Sequence, residues 1–349
     1  MTDTAPGGGD RAGASVAAGH DGSGDGDRDR GQLVLVAGLT LAVVLVALVL
    51  ITNTAIYTEN LATRDDGVGE AEALGYRAAV VDGVGGVVDR ENAAEYDDRT
   101  ALEANVSAGV AELDSLLRGS AARRAASATA NRSAATYVNG SLVRENGTAA
   151  DPQPFTDATG TANWTVATDL NETRGVRGYV AVVNGSELAS ASASDPGDAF
   201  HVVVTNGTAA WHAYVYEDGG NITVAVKAAG DPVSNTTAVC STPAANASVD
   251  FTAGTLDGED CGGVALGGDV DGRYDLLVRN GDAAGGGYDL TVRTEGSGAV
   301  STGNVTEGAS APTPYSVPAV YAVRLPAAYE TAELEYRTVV RVAPGERDA

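Results

Sequence analysis

Tyr274–Thr294 reads YDLLVRNGDAAGGGYDLTVRT. Its two ends, YDLLVRN (274–280) and YDLTVRT (288–294), repeat one pattern. Tyr274, Leu276 and Val278 fall on one side of an extended chain, as do Tyr288, Leu290 and Val292, while Asp and Arg alternate on the other. A period of two with one apolar side belongs to a strand that lays one face on a core. The intervening NGDAAGGG is rich in turn formers, so the pair is expected to fold back as a local antiparallel hairpin. Asp and Arg would then meet across strands, worth roughly a few tenths of a kcal/mol per pair.

The same alternation recurs on both sides. It is visible in NWTVATD (163–169), GYVAVVN (178–184), FHVVVTN (200–206), WHAYVYE (211–217), NITVAVK (221–227), ASVDFT (247–252), YAVRLP (321–326) and LEYRTVVRV (334–342). TYVNGSLV (136–143) is expected to be a further hairpin, turning at Asn139-Gly140 in the type I′ manner. Short strands broken by Asn-Gly, Asp-Pro and Gly clusters predict an antiparallel sandwich or barrel-like head.

Before residue 136 the period becomes helical. Leu74, Ala78, Val81, Val84 and Val88 recur at helical spacing, although Gly83, Gly85 and Gly86 weaken the pattern. Thr100-Ala-Leu-Glu103 has the form of a capping box, with Thr100 as N-cap. Leu102, Val106, Val110, Leu113 and Leu117 then form a stripe ending near Gly119. Residues 120–135 are small and polar, and either prolong the helix or link it onward.

Further upstream, Leu33–Ile51 carries no charge. As a helix it spans about 29 Å, close to the hydrocarbon thickness of a bilayer. Arg28 and Arg30 precede it, and the first charges after it are Glu59, Arg64, Asp65 and Asp66. That bias places the N-terminus in and the C-terminus out. The expected plan is therefore α+β: a disordered cytoplasmic tail or leader (1–31), a transmembrane helix (32–52), an extracellular helical stalk (53–135) and a β-rich glycosylated head (136–349). The lipid bilayer is the first partner this implies, and the cell membrane, crossed once, is the location.

Asparagine usage agrees with this topology. Of the fourteen asparagines beyond Arg64, twelve stand in N-x-S/T sequons: Asn105, Asn131, Asn139, Asn146, Asn163, Asn171, Asn184, Asn206, Asn221, Asn235, Asn246 and Asn304. Ser and Thr make up about one residue in seven, so chance would place roughly two of the fourteen in the motif. Such a bias points to a glycosylating, extracytoplasmic compartment. The four Asn-Gly-Ser/Thr sites, at 139, 146, 184 and 206, are expected in exposed turns.

Charge and chemistry narrow the function classes. A formal net charge of −25 argues against nucleic-acid partners, which need basic patches. Cys240 and Cys261 are too few for a four-cysteine metal site and read as one disulfide, or else as two separate buried thiols. His201 and His212 fall in alternating strand patterns without metal-binding spacing. Asp269-Val270-Asp271-Gly272 resembles part of a calcium loop without its bidentate Glu, and Gly83–Val88 lacks the final glycine and preceding strand of a dinucleotide fingerprint. No nucleophile elbow or phosphate loop is present. The reading is of a protein that is not an enzyme and takes no cofactor or metal; a surface hydrolase is the remote alternative.

High Asp and Glu with abundant Ala, Gly and Val and a single lysine, Lys227, resembles proteins of halophilic archaea. Arg30-Gly31-Gln32-Leu33, followed by the apolar run, resembles the class III signal of archaeal type IV pilins and archaellins. The stretch from RGQLVLV to IYTENLATR also resembles small haloarchaeal membrane proteins of pilin-like gene neighbourhoods. The pilin resemblance implies cleavage by a prepilin peptidase between Gly31 and Gln32. It also implies assembly of the apolar helix with pilin-like subunits or with copies of itself. Where many pilins place Glu at the fifth mature position, this chain has Val36. A non-assembling anchored surface binding protein is the alternative.

Overall fold

The computed structural model describes residues 69–171, 175–267, 270–296 and 298–346. The apolar run and the Gly31–Gln32 bond lie outside the described residues. Among those described, no helix is long and apolar enough to cross a membrane.

Helix α1 occupies 69–93 and helix α2 Arg99–Ala122. Among the described residues eighteen strands follow: β1 (Ser127–Ala130), β2 (Thr136–Glu145), β3 (Gln153–Pro154), β4 (Trp164–Leu170), β5 (Val176–Asn184), β6 (Phe200–Thr205), β7 (Ala210–Asp218), β8 (Asn221–Lys227) and β9 (Thr237–Thr242). After these come β10 (Asn246–Asp250), β11 (Thr255–Leu256), β12 (Glu259–Asp260), β13 (Tyr274–Arg279), β14 (Gly285–Arg293), β15 (Ala299–Val300), β16 (Thr306–Glu307), β17 (Tyr315–Glu330) and β18 (Glu335–Val342). One sheet runs β1-β17-β2-β14-β5-β10-β11-β12, with β3 on β14 and both β16 and β18 on β17. The other runs β15-β4-β13-β6-β7-β8-β9. The only parallel ladder among the described residues is β16–β17.

The strand alternation is realised, but the Tyr274–Thr294 pair is not a hairpin. β13 is hydrogen-bonded to β4 and β6 in the second sheet, and β14 to β2 and β5 in the first. Tyr274, Leu276 and Val278 therefore face Tyr288, Leu290 and Val292 across one buried core. The linker is carried between the sheets by the segment before β4. Gly281 accepts from Phe155 N at 2.8 Å and donates to Ala162 O at 2.9 Å, while Asn280 takes the left-handed conformation (φ 51°, ψ 44°). Asp289 consequently meets Arg144 on β2 at 3.5 Å, and Asp275 accepts from Asp169 N at 2.9 Å. Phe155 stacks edge-on against Phe200 and Tyr288, with centroids 5.1 and 5.2 Å apart, stitching the sheets together.

Asn139-Gly140 is not a turn either. It lies inside β2, where a Cβ on Gly140 would sit 2.9 Å from Val292 O and 3.0 Å from Tyr321 Cβ. The glycine serves close approach of neighbouring strands rather than a reversal. Among the other Asn-Gly sites, only Asn206 turns a hairpin, between β6 and β7, with Gly207 at φ +83°.

The helices do not stand off as a stalk. They pack on β1, β17 and β18 around a second core of Tyr76, Val80, Val84, Leu102, Val106, Val110, Leu325 and Tyr329. The buried stripe of α1 is Ala73, Tyr76, Val80, Val84, Val87 and Val88; Leu74 is 62% exposed and Ala78 exposed, contrary to the spacing first read there. Of the glycines that weaken the α1 pattern, Gly83 lets the helices meet, together with Gly109 on α2. A Cβ on Gly83 would lie 2.6 Å from Leu113 Cδ1, and one on Gly109 2.7 Å from Val87 Cγ1, so each glycine receives a side chain of the opposite helix. The N-cap of α2 is Asp98, not Thr100: its carboxylate accepts from Thr100 N at 3.1 Å and Ala101 N at 3.3 Å. A charged acceptor at the positive helix end starts the helix two residues early. The helix also continues past Gly119 to Ala122.

Where β2 ends, the chain presses against the Gly-rich start of β14. A Cβ on Gly147 would overlap the carbonyl oxygen of Gly286, and one on Gly287 that of Gly147. Gly147 is also the middle residue of the Asn146 sequon, so two roles can be separated by mutation. Gly147→Ala keeps the sequon and is expected to destabilise the fold by about 3 kcal/mol or more through overpacking. Asn146→Gln removes the sequon at an exposed position and should change stability by less than about 0.5 kcal/mol. Chemical denaturation of both variants checks the contrast.

Candidate functional site

Four sets of side chains could carry function: the sequon asparagines, the cysteines, a histidine–tyrosine cluster, and the charged groups around two hollows.

Among the sequon asparagines, Asn105, Asn131, Asn146, Asn163, Asn171, Asn206, Asn235 and Asn246 are exposed, and Asn139, Asn184, Asn221 and Asn304 are half-buried. The buried asparagine beyond Arg64 is Asn92, which is not in a sequon. Local geometry explains several of these placements. Asn206 Oδ1 accepts from Thr208 N and Ala209 N, Asn184 Oδ1 from Ser186 N and Oγ, and Asn131 Oδ1 from Ser133 N. This is the side-chain turn that Asn favours at a strand end. It leaves the hydroxyl residue two positions on beside the amide. Asn184 and Asn206 also donate Nδ2 to Ala149 O and Asp271 O; a glycosylated amide keeps one N–H, which is enough for such a bond.

Cys240 on β9 is disulfide-bonded to Cys261, which follows β12, with Cα atoms 5.6 Å apart. The bond ties the edge of the second sheet to the far end of the first. His201 and His212 stand on the outer face of the second sheet with Tyr214. The ring centroids are 5.3 Å apart for the two histidines and 4.4 Å for His201 and Tyr214. Burial pushes both imidazoles down to about 4, assisted at His212 by Lys227. Lys227 gives its ammonium protons to Ala210 O, Asp231 O and Ala228 O at 2.8, 3.2 and 3.3 Å. Neutral imidazoles beside an ammonium do not make a cation site. No group of three metal-binding side chains occurs among the described residues. Of the partial calcium loop, Asp269 lies outside them.

The charged hollows are spent on the fold. One of about 290 Å³ lies between α1, β5 and β14 and is lined by Asp89, Asn92, Arg144, Arg177 and Asp289. Arg177, only 4% exposed, donates to Pro344 O at 2.6 Å and Val320 O at 3.1 Å and pairs with Asp89 at 3.3 Å. Burial lowers its pKa, with Asp89 opposing that effect. Tyr321, under the Arg177 guanidinium, donates to Glu346, which Arg341 also grips. Arg144 pairs with Glu95 and Asp289, and Tyr315 donates to Glu95 at 3.0 Å. A wider hollow of about 710 Å³ holds Asp97 and Arg99. Arg99 there serves Gly140 O, Ala319 O and Asn139 Oδ1, and Asp97 accepts from Ala309 N. Glu145, 3% exposed beside the sandwich core, has its carboxyl raised by burial. Sequence reasoning missed this whole seam. Arg177 and Glu145 gave the available signal, as charges next to or in phase with buried alternating residues.

A family model described as a family of unknown function (DUF7261) matches residues 27–173, spanning the apolar run, both helices and β1 to β4. No curated protein and no solved structure matches the chain.

The disulfide closes a loop of sequence separation 21. Its reduction should cost about 3 kcal/mol in the chain-entropy model, read as a shift of the denaturation midpoint with reductant. The histidines set a pH dependence of definite sign. Their folded pKa values of about 4 lie below the ordinary value of about 6.5, so the unfolded chain binds the protons more readily. Stability is therefore complete above about pH 6.5 and is lost as pH falls toward 4, by up to about 2 kcal/mol at pH 5 for His201 and by less for the more exposed His212, whose shift water screens. Melting temperature followed from pH 7 to pH 5 should drop, and the His201→Gln/His212→Gln variant should drop less.

Proposed function

We propose that this chain is a membrane-anchored, N-glycosylated surface protein, with the described residues as its extracytoplasmic part and a structural rather than catalytic task. The observation that carries the reading is the sorting of asparagines. Every sequon asparagine is exposed or half-buried, and the buried one, Asn92, stands outside the motif. Three further features support it. The disulfide suits an oxidising compartment, the apolar run is long enough to anchor, and the charged side chains of the hollows are engaged in holding helices and C-terminus to the sheet. Strand ends and turns are where glycans block unwanted strand pairing at least cost to packing.

Within this reading, the Arg30-Gly31-Gln32 pattern favours a pilin-like or envelope subunit, processed between Gly31 and Gln32 and packed through Leu33–Ile51. The alternative is an uncleaved anchor carrying a binding surface.

Mass spectrometry of the chain extracted from its native membrane tests both levels. The surface reading expects a mass above that of the bare polypeptide (35.0 kDa uncleaved, less if processed at Gly31), with glycopeptides at several of the twelve sites. An unmodified chain shielded from protease in intact cells would sink it. A mature terminus at Gln32 supports the pilin-like branch, whereas an intact leader removes that branch and leaves the anchored glycoprotein standing.

A further inference from the structure

The unpaired edges of the two sheets are protected unequally. In the first sheet, β12 is two residues of exposed acid, Glu259 and Asp260. β1 is four residues long and its last amide, Ala130 N, is held by Asp114 Oδ1 of α2 at 2.7 Å. In the second sheet, β15 is two residues long, and β9 is tied down by the Cys240–Cys261 bond. β18 differs. It runs eight residues, and among the described residues its backbone bonds go only to β17. It carries Val339 at 66% exposure, and no sequon follows Asn304. A long, uncovered edge strand is a template for another strand.

The sequence of this edge says which strand fits it. If LEYRTVVRV (334–342) is laid antiparallel on itself with Thr338 opposite Thr338, Leu334 faces Val342, Glu335 faces Arg341, Tyr336 faces Val340 and Arg337 faces Val339. Apart from Thr338 on the axis, every pair occurs twice. Glu335–Arg341 is an opposite-charge pair, the Thr–Thr and aromatic–β-branched pairs are favourable, and no like charges oppose. Arg341 gives two N–H groups to Glu346 and keeps others for a second carboxylate. With two Arg and one Glu, the strand itself is net basic on a chain of net charge −25, so it does not add to the repulsion between two copies.

We propose that β18 pairs edge to edge with β18 of a second copy about a two-fold axis at Thr338, making one continuous sheet across a symmetric dimer. The proposal does not depend on the membrane reading, and either can fail alone.

The test uses the full chain in detergent. Thr338→Cys places two thiols opposite each other on the axis, within disulfide reach, and air oxidation should give a covalent dimer on a non-reducing gel. Val339→Cys is more exposed but would hold its two Cα atoms roughly 8 Å apart, beyond the ~7 Å limit, and should stay monomeric on the gel. Light scattering of the unmodified chain should show a concentration-dependent dimer, weakened about three- to tenfold by Glu335→Arg, which sets arginine against arginine. A monomer at every concentration overturns the proposal, as does cross-linking of the two cysteine variants at equal rates.

Discussion

The carbonyl oxygen of Val320 accepts from two side chains, Asn92 Nδ2 at 3.0 Å and Arg177 Nη2 at 3.1 Å. Val320 N in turn donates to Asn92 Oδ1 at 2.9 Å. The β17–β2 ladder is irregular here, with a register shift between Val320 and Ala322. A bulge frees backbone groups that burial would make costly by about 1–3 kcal/mol each if left unmet. The Asn92 amide supplies one donor and one acceptor, as a neighbouring strand would, and so locks α1 to the sheet. Arg177 extends the lock to the C-terminal segment through Pro344 O. Burying a guanidinium is unfavourable on its own; three acceptors and the Tyr321 ring offset that cost.

How much of this was legible in the sequence depended on whether one residue's environment was local. Face assignment was local: the tyrosines, leucines and valines of 274–278 and 288–292 point inward as their alternation requires. Sheet assignment was not, because the same period serves a hairpin and two strands of opposite sheets. What separated them was the grip of residues 155–162 on Gly281, more than a hundred positions upstream. Asn139-Gly140 misled for a related reason. Glycine answers both a turn and a close approach, and only the neighbours Val292 and Tyr321 show which applies. Gly83 and Gly109 count against a helix by propensity and for it once the facing Leu113 and Val87 are known.

The candidate site divides the same way. Sequon asparagines can be read from the motif, and their side-chain turns follow from Asn preferences at strand ends. Of the seam, Arg177 could be read from its phase among buried residues, but not its partners: Asp89, Val320 and Pro344, like Asn92, come from distant elements that no spacing relates. In a chain so rich in acid, individual carboxylates carry little information. The few that are buried or paired acquire it from burial alone.

Because β17 is the floor on which both helices rest, the order of synthesis runs against the order of packing. Asn92 and Val320 are separated by 228 positions, and Glu72 and Tyr329, which share a 2.7 Å hydrogen bond, by 257. At a usual elongation rate of about 5–20 residues per second, the helices emerge roughly 10–50 s before their support exists. Until then the apolar stripes of α1 and α2 can cover each other, with β1 beside them, and the glycine notches at 83 and 109 make that temporary pairing a close one. The helical hairpin is thus its own placeholder, and closure of the fold waits for β17, more than two hundred positions downstream.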